Sequence, residues 1–509
     1  MTTLVLGLDG GDWDRIDPWL RQGLLPNIRA ICEEGIYSVS NSVLPPVTCP
    51  NWKCYASSKS PGTHDVYWWD LFDRETNSVT IPDSTSFTEP ELWDYLNDEG
   101  LTTDIINLPM SFPPRSVDGH MIAGGPQAQN TDYTVPRAYQ SELEAEFDYR
   151  VRPAKVINGE ARGGIEKALS LLETRCEVAQ HLIETHDPDF VHLTLFYLNN
   201  IQHFHGSGVP TKQAWQLIDD WVGTFRESTE TLFLMSDHGC ADIDTEFHIN
   251  SWLNERGYLT TGSSYVGYLD RLGVTQEKAT TVLGALNLER VVKNLVPADI
   301  VDRVPTKEGA TRQSKFESVN LAASNAIASG QGVVYVLEPP DSRAYAETRQ
   351  TIIEELSQLQ TPDSVPVAPE IHRGEELYPN GTPRYRPDIV FEQGPGIHTS
   401  DAVGSESVFG TPRRWEAENR RDGVFAAVGP NVESAGGLAP TSILDIAPTV
   451  LYAMGLDVPT SFEGTPITEA NTARDEPTYR DPLQSLVEQT NEIEDSSTVQ
   501  ERLSDLGYF

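Results

Sequence analysis

Cysteine is scarce in this chain, basic residues are outnumbered, and no long apolar run occurs. The five cysteines, Cys32, Cys49, Cys54, Cys176 and Cys240, are odd in number and form no Cys-x-x-Cys pair. That leaves no basis for a disulfide framework or a Cys-based zinc knuckle. Lys and Arg total 37 against 76 Asp and Glu, a formal net charge of −39. Such an excess repels a nucleic-acid backbone or an anionic bilayer, so neither is expected as a partner. No apolar run approaches the ~20 residues that cross a bilayer. The opening TLVLGLDGG lacks a basic stretch and a small-residue cleavage site. The expected location is the cytoplasm, in solution.

The acidic residues are scattered along the whole chain, and Arg outnumbers Lys. Proteins of salt-loving organisms look like this, and we read the charge as a surface adaptation that resists aggregation where salt screens other repulsions. The hydrophobic fraction of 38% and charged fraction of 22% allow a sizeable core in 509 residues. Short apolar runs followed by helical periodicity predict an α/β fold, a mostly parallel central sheet with helices on both faces. Residues 3–8, 190–198 (FVHLTLFYL), 231–236 and 423–428 read as strands, and 19–34 as the first helix. Asp9, Asn199 and Asp237 then fall just past strand ends, where ligands collect in parallel sheets. The domain is expected over 1–465. Pro-rich 70–160 and polar, helical 255–330 read as cap insertions, and 466–509 as an acidic tail with a terminal helix. GVVYVLEPP reads as a further strand, and 342–359 as an amphipathic helix.

Four clusters carry candidate chemistry. Asp9 in LDGGDW offers a carboxylate to a hard or borderline cation, although an Asp at a strand end is also an ordinary turn former. In PPVTCPNW, two prolines enforce an extended lead-in and Thr48 begins a helix. There its hydroxyl would feel the positive helix end, which favours an alkoxide or a bound phosphate; a plain capping Thr is the alternative. In NNIQHFHG, Asn199 and His203 are spaced i, i+4 and would share one helix face. In LMSDHGC, Asp237 and His238 are adjacent past an apolar strand, a pair costly to bury unless a metal or hydrogen bonds satisfy it.

In their order, LVLGLDGGDW, PPVTCPNW, the strand leading to IQHF, LMSDHG, GVFAAVGP and ILDIAPTVLYAMGLDVP resemble the type I phosphodiesterase/nucleotide pyrophosphatase branch of the alkaline phosphatase superfamily. ELWDYLNDEG, LPMSFPP and INSWLNERGYL also look like a subgroup of predicted phosphohydrolases or phosphomutases. The resemblance spans about residues 1–465. It implies a two-metal site. One ion would be held by Asp9, Asp237, His238 and the Thr48 oxygen; the other by Asn199, His203 and a late histidine. Zn2+ is the implied metal, with Mn2+ the alternative. Thr48 would attack phosphorus and form a phospho-threonine, in a small phosphate ester or nucleotide-like substrate.

The chain departs from the family pattern in three places. Asn199 stands where Asp is usual, and a neutral amide is the weaker ligand. The late histidine is His398 by one alignment, whereas the nearest register offers Asn419. The family's His-Gly becomes His64-Asp65, and Tyr67, Trp68 and Trp69 replace a phosphoryl-binding Asn. His64 and Trp69 are the candidate substrate contacts, with Trp68, Trp69 and Trp93 able to stack on a base or sugar. The second metal half-site thus reads as eroded, leaving two-ion, one-ion and impaired forms open. Phosphomutase or phosphomonoesterase chemistry on the same intermediate, and a binding role without catalysis, are the alternatives. Sulfatase chemistry needs a CxPxR-type segment, which Cys49-Pro50-Asn51-Trp52 is not.

Overall fold

The computed structural model describes residues 2–152, 162–261, 318–405, 407–412 and 415–486. The apolar run Thr3–Gly7 is central in a ten-stranded sheet. It pairs in parallel with Phe190–Thr194 on one side and Thr231–Met235 on the other. Thr103–Pro109 and Gly119–Gly124 continue the sheet in parallel beyond Phe190–Thr194, and Thr134–Val135 closes that edge antiparallel. On the other side Asp422–Val428 runs antiparallel, followed by Ile36–Asn41.

Successive side chains of a strand face opposite ways, so each of these strands serves two cores. Leu4 and Leu6 join the cluster that holds Leu172 and Leu182 of helix Arg162–His186 and Trp215 and Ile218 of helix Val209–Ser228. Val5, Phe233 and Phe425 join Trp52, Tyr55 and Val450 across the opposite face. Helices therefore cover both faces, as a mostly parallel sheet requires. A smaller antiparallel sheet, ordered Ala326–Ala328, Val333–Val336, Ile389–Glu392, Glu370–Arg373, has its own core under helix Arg343–Gln358. Among the described residues no helix is long and apolar enough to cross a membrane.

Several boundaries differ from the expectation. The helix over 19–34 is two, Trp13–Arg21 and Pro26–Glu34, divided where Gly23 takes φ +71°. The run FVHLTLFYL is strand only as far as Thr194, and helix Tyr197–His205 takes its last residues. The segment 70–160 is not purely a cap, because it supplies two parallel strands of the main sheet. Most of 255–330 and the terminal helix of the tail lie outside the described residues. The described part of the tail pairs Tyr479–Arg480 with Val458–Pro459.

Candidate active site

Register builds the first half of the site. Gly7 pairs with Met235 on the neighbouring parallel strand, so Asp9 and Asp237, each two residues further on, emerge at the same height. Adjacent strands are about 4.8 Å apart, which brings the two carboxylates together. Asp237 Oδ1 accepts from the Gly10 amide at 3.2 Å. Gly10 takes φ +70°, and a Cβ there would lie 2.4 Å from Asn199 Oδ1. At Gly239, the first residue of strand Gly239–Asp242, a Cβ would meet the Asp422 carbonyl at 2.0 Å, so only glycine lets the two backbones approach there.

Thr48 is the first residue of helix Thr48–Ser57, with Val47 in the cap position. Its Oγ1 lies 3.1 Å from His238 Nε2 and 3.5 Å from Asp9 Oδ1. Trp52, one turn along the same helix face, donates its indole N–H to Asp9 Oδ2 at 3.1 Å. The His238 Nδ1–H is directed to the Gly239 carbonyl at 2.9 Å, which leaves Nε2 for the cluster. Nε2 is 3.1 Å from Asp237 Oδ2 and 3.8 Å from Asp9 Oδ1. Asp9, Thr48, Asp237 and His238 are all fully buried.

The charges in this pocket call for a cation. Burial, then repulsion from Asp237, pushes the Asp9 carboxyl well above its usual range. Burial alone would depress His238, but the attraction of Asp237 and Asp9 outweighs it and lifts the imidazole to about 9. Asp237 Oδ2 is buried and has no aligned hydrogen-bond donor. Asp9, Asp237 and His238 each offer a ligand atom, all within 4.8 Å of one another. Two carboxylates, an imidazole and a hydroxyl are a fitting donor set for zinc or manganese.

Helix Tyr197–His205 supplies the other half. Asn199 Nδ2 donates to His203 Nε2 at 3.1 Å and to Asn419 Oδ1 at 3.0 Å, and the His203 Nδ1–H is held by the Ala417 carbonyl at 2.8 Å. Burial pushes His203 down to about 4, keeping it neutral. The ring of Trp415 stacks on His203 at 3.8 Å. Asn199 Oδ1 and Asn419 Nδ2 are buried without a hydrogen-bond partner. For the late position the structure brings Asn419, not His398, to Asn199. His398 sits one layer back, ion-paired with Glu418 and in contact with Trp415.

The model of the family described as "Type I phosphodiesterase / nucleotide pyrophosphatase" matches residues 3–398. The chain belongs to that family. Among solved structures it is similar to phosphonoacetate hydrolase from Sinorhizobium meliloti in complex with phosphonoacetate, with TM-score 0.56 and 13% identity over 87% of this chain and 93% of that one. It is also similar to murine ectonucleotide pyrophosphatase/phosphodiesterase 5, with TM-score 0.52 and 11% identity over 93% of this chain and 99% of that one. An inactive variant of the murine protein, solved with AMP, matches with TM-score 0.50, 11% identity, and 89% and 95% coverage. At these identities the likeness to solved structures shows the fold alone.

Two residues read as substrate contacts of this family member are placed elsewhere. His64 contacts Ser57 at 3.0 Å, at the far end of the helix that Thr48 begins. Nine residues of helix put it about 13 Å along the axis from Thr48. Trp69 is fully buried in the cluster that holds Val47 and Cys49, so it presents no free face for stacking. Conversely, Trp52 and Gln202, whose Nε2 donates to the Gly10 carbonyl at 2.9 Å, were not singled out from sequence. For Trp52 a signal existed, since it is spaced i, i+4 from Thr48. Asp12, the second acid of LDGGDW, has a structural role. It caps helix Trp13–Arg21 and pairs with Arg420, tying the first loop to strand Ala417–Arg420.

Proposed function

We propose that the protein is a divalent-metal-dependent hydrolase of phosphoric esters in which Thr48 is the nucleophile. The observation that carries this reading is a buried threonine hydroxyl, at a helix start, within 3.5 Å of both Asp9 and His238, with Asp237 completing a three-ligand cluster. Asp9, Asp237 and His238 would hold the ion. When bound, it lowers the pKa of the hydroxyl and offsets the phosphoryl charge.

The chain's own groups do the rest. Trp52 and the Gly239 carbonyl fix the orientation of Asp9 and His238, as outer-shell partners of metal ligands do. The positive end of the helix that Thr48 begins favours the anionic phosphoryl oxygens. The Thr48 oxygen bonds to phosphorus as the ester oxygen leaves opposite it. Water then cleaves the Thr48–phosphorus bond and releases phosphate or its monoester. Asn199, His203 and Asn419 would hold a second ion more weakly, because amides and an imidazole bring no negative charge.

A cavity of about 230 Å³ bordered by Pro46, Gln393, Asn419 and Arg421 reaches Asn419 from outside. A small ester fits that size better than a polymer does. The ligands of the two structural relatives, AMP and phosphonoacetate, suggest a nucleotide-like ester or a phosphonate as substrate class.

The test is release of nitrophenol from aryl phosphate mono- and diesters with added zinc or manganese. Metal-dependent turnover is expected, and Thr48→Ala should lower it at least about a thousandfold. Equal rates in wild type and Thr48→Ala would remove the proposal.

A further inference from the structure

The sheet edge opposite Thr48 carries a second cluster of ligating side chains. Asp104 and His120 are register partners near the amino ends of the neighbouring strands Thr103–Pro109 and Gly119–Gly124. His186 is the last residue of helix Arg162–His186. The His120 and His186 rings stack at 4.5 Å with an interplanar angle of 17°, and Tyr139 packs on His120 at 4.5 Å. One oxygen of Asp104 and one nitrogen of each histidine lie within 4.8 Å of one another.

The acceptor side of this cluster is incomplete. Asp104 is 1% exposed. Its Oδ1 accepts from the backbone N–H of His120 at 2.8 Å and from Nδ1 at 2.9 Å. Its Oδ2 is buried with no partner, and so is the Tyr139 hydroxyl. A bare buried carboxylate oxygen has lost its water without gaining a donor, which opposes folding unless a cation meets it. Two protonated imidazoles stacked at this distance would repel one another, and burial and His120 hold His186 below its ordinary range. Among the described residues no Lys or Arg pairs with Asp104.

We propose that Asp104, His120 and His186 form a second divalent-cation site, separate from the catalytic one, that takes zinc or a similar borderline ion. Two imidazoles and one carboxylate suit zinc, with a fourth position left for water. Glu142 lies close enough for its charge to act on His186 and is a second candidate for that position. An imidazole nitrogen donates in its ring plane, so around a tetrahedral ion the His186 ring must turn out of its stack on His120 and the donor atoms must close to roughly 3.5 Å of each other. His186, exposed at a helix end, can make that movement. The carbonyls at that helix end also favour a cation. The ion would pin the helix to two adjacent strands. Five residues of strand, roughly 17 Å, separate Asp104 from the catalytic edge, so the role is structural.

The full chain, stripped with chelator, is titrated with Zn2+ against a chromophoric chelator and melted with and without zinc. His186→Ala should bind one equivalent fewer than wild type and lose several degrees of the zinc-induced rise in Tm. Its metal-dependent ester hydrolysis should stay within about twofold of wild type. Asp104→Asn, nearly isosteric, should show the same lost equivalent. Equal zinc stoichiometry and equal Tm gain in wild type, His186→Ala and Asp104→Asn would overturn the site.

Discussion

Asn199 is the residue on which the site's charge depends. Its amide donates to His203 and to Asn419, both of which present acceptors. A carboxylate in its place cannot donate, so three acceptors would face each other beside Asp9 in a fully buried pocket. Without metal, Asn199→Asp should therefore lose about 2–4 kcal/mol of stability. With zinc or manganese the added carboxylate becomes the better ligand and the loss should be recovered. The expected result is a larger metal-induced rise in Tm than in wild type, and about tenfold less metal at half-maximal ester hydrolysis. Melting curves with and without metal, and a metal titration of turnover, measure both. If Asn199→Asp is destabilised equally in both conditions, the amide only holds His203 and Asn419 in place.

At the scale of elements, Asp9 and Asp237 were legible because both follow short apolar runs whose parallel pairing fixes their height. From sequence Asn199 reads as the end of a strand, because FVHLTLFYL stays apolar across the change from strand to helix and periodicity cannot mark that boundary. The choice between His398 and Asn419 depended on Ala417–Arg420 pairing with Gly239–Asp242, a contact across more than 170 residues that no local pattern reveals. Trp69 lies in an irregular segment and His64 ends the short helix Pro61–His64, where aromatic composition alone does not separate core from surface. Equally hidden was the use of Lys53 on the nucleophile's helix. Its ammonium is buried against Glu91, which also pairs with Arg115. Burial alone would raise the Glu91 carboxyl, but Lys53 and Arg115 outweigh it and hold it below its ordinary value. A carboxyl lowered on folding stabilises fully above its unfolded pKa of about 4.3, and that contribution fades as pH falls through the folded value. Lys53→Met leaves Glu91 with one cation in place of two and should cost about 3–5 kcal/mol at pH 7. Near pH 4 protonation of Glu91 removes the uncompensated charge, so the Tm gap to wild type should narrow. A gap that stays constant from pH 7 to pH 4 would show that Lys53 matters through packing alone.

For the whole molecule the governing quantity is the net charge of −39. Its acids are spread over the chain, so folding gathers like charges onto one surface, and their repulsion opposes the compact state. The Debye length is about 10 Å at 0.1 M salt and about 3 Å at 1 M, which covers the spacing of neighbouring surface charges. Tm should therefore rise with NaCl. The rise should be steepest below about 0.5 M, since screening saturates whereas preferential exclusion of salt grows steadily. The same field acts on function, because an anionic ester must approach an anionic surface. KM for an aryl phosphate should fall several-fold between 0.05 and 1 M NaCl. By contrast kcat should change little, because the buried Thr48, Asp9, Asp237 and His238 are screened far less than the surface. Steady-state kinetics across that salt range, on a monoester and on a less charged diester, separate the two effects. The diester's KM should fall less in proportion to its smaller charge. If both substrates respond equally, or kcat carries the salt dependence, the surface field is not what limits access to the site.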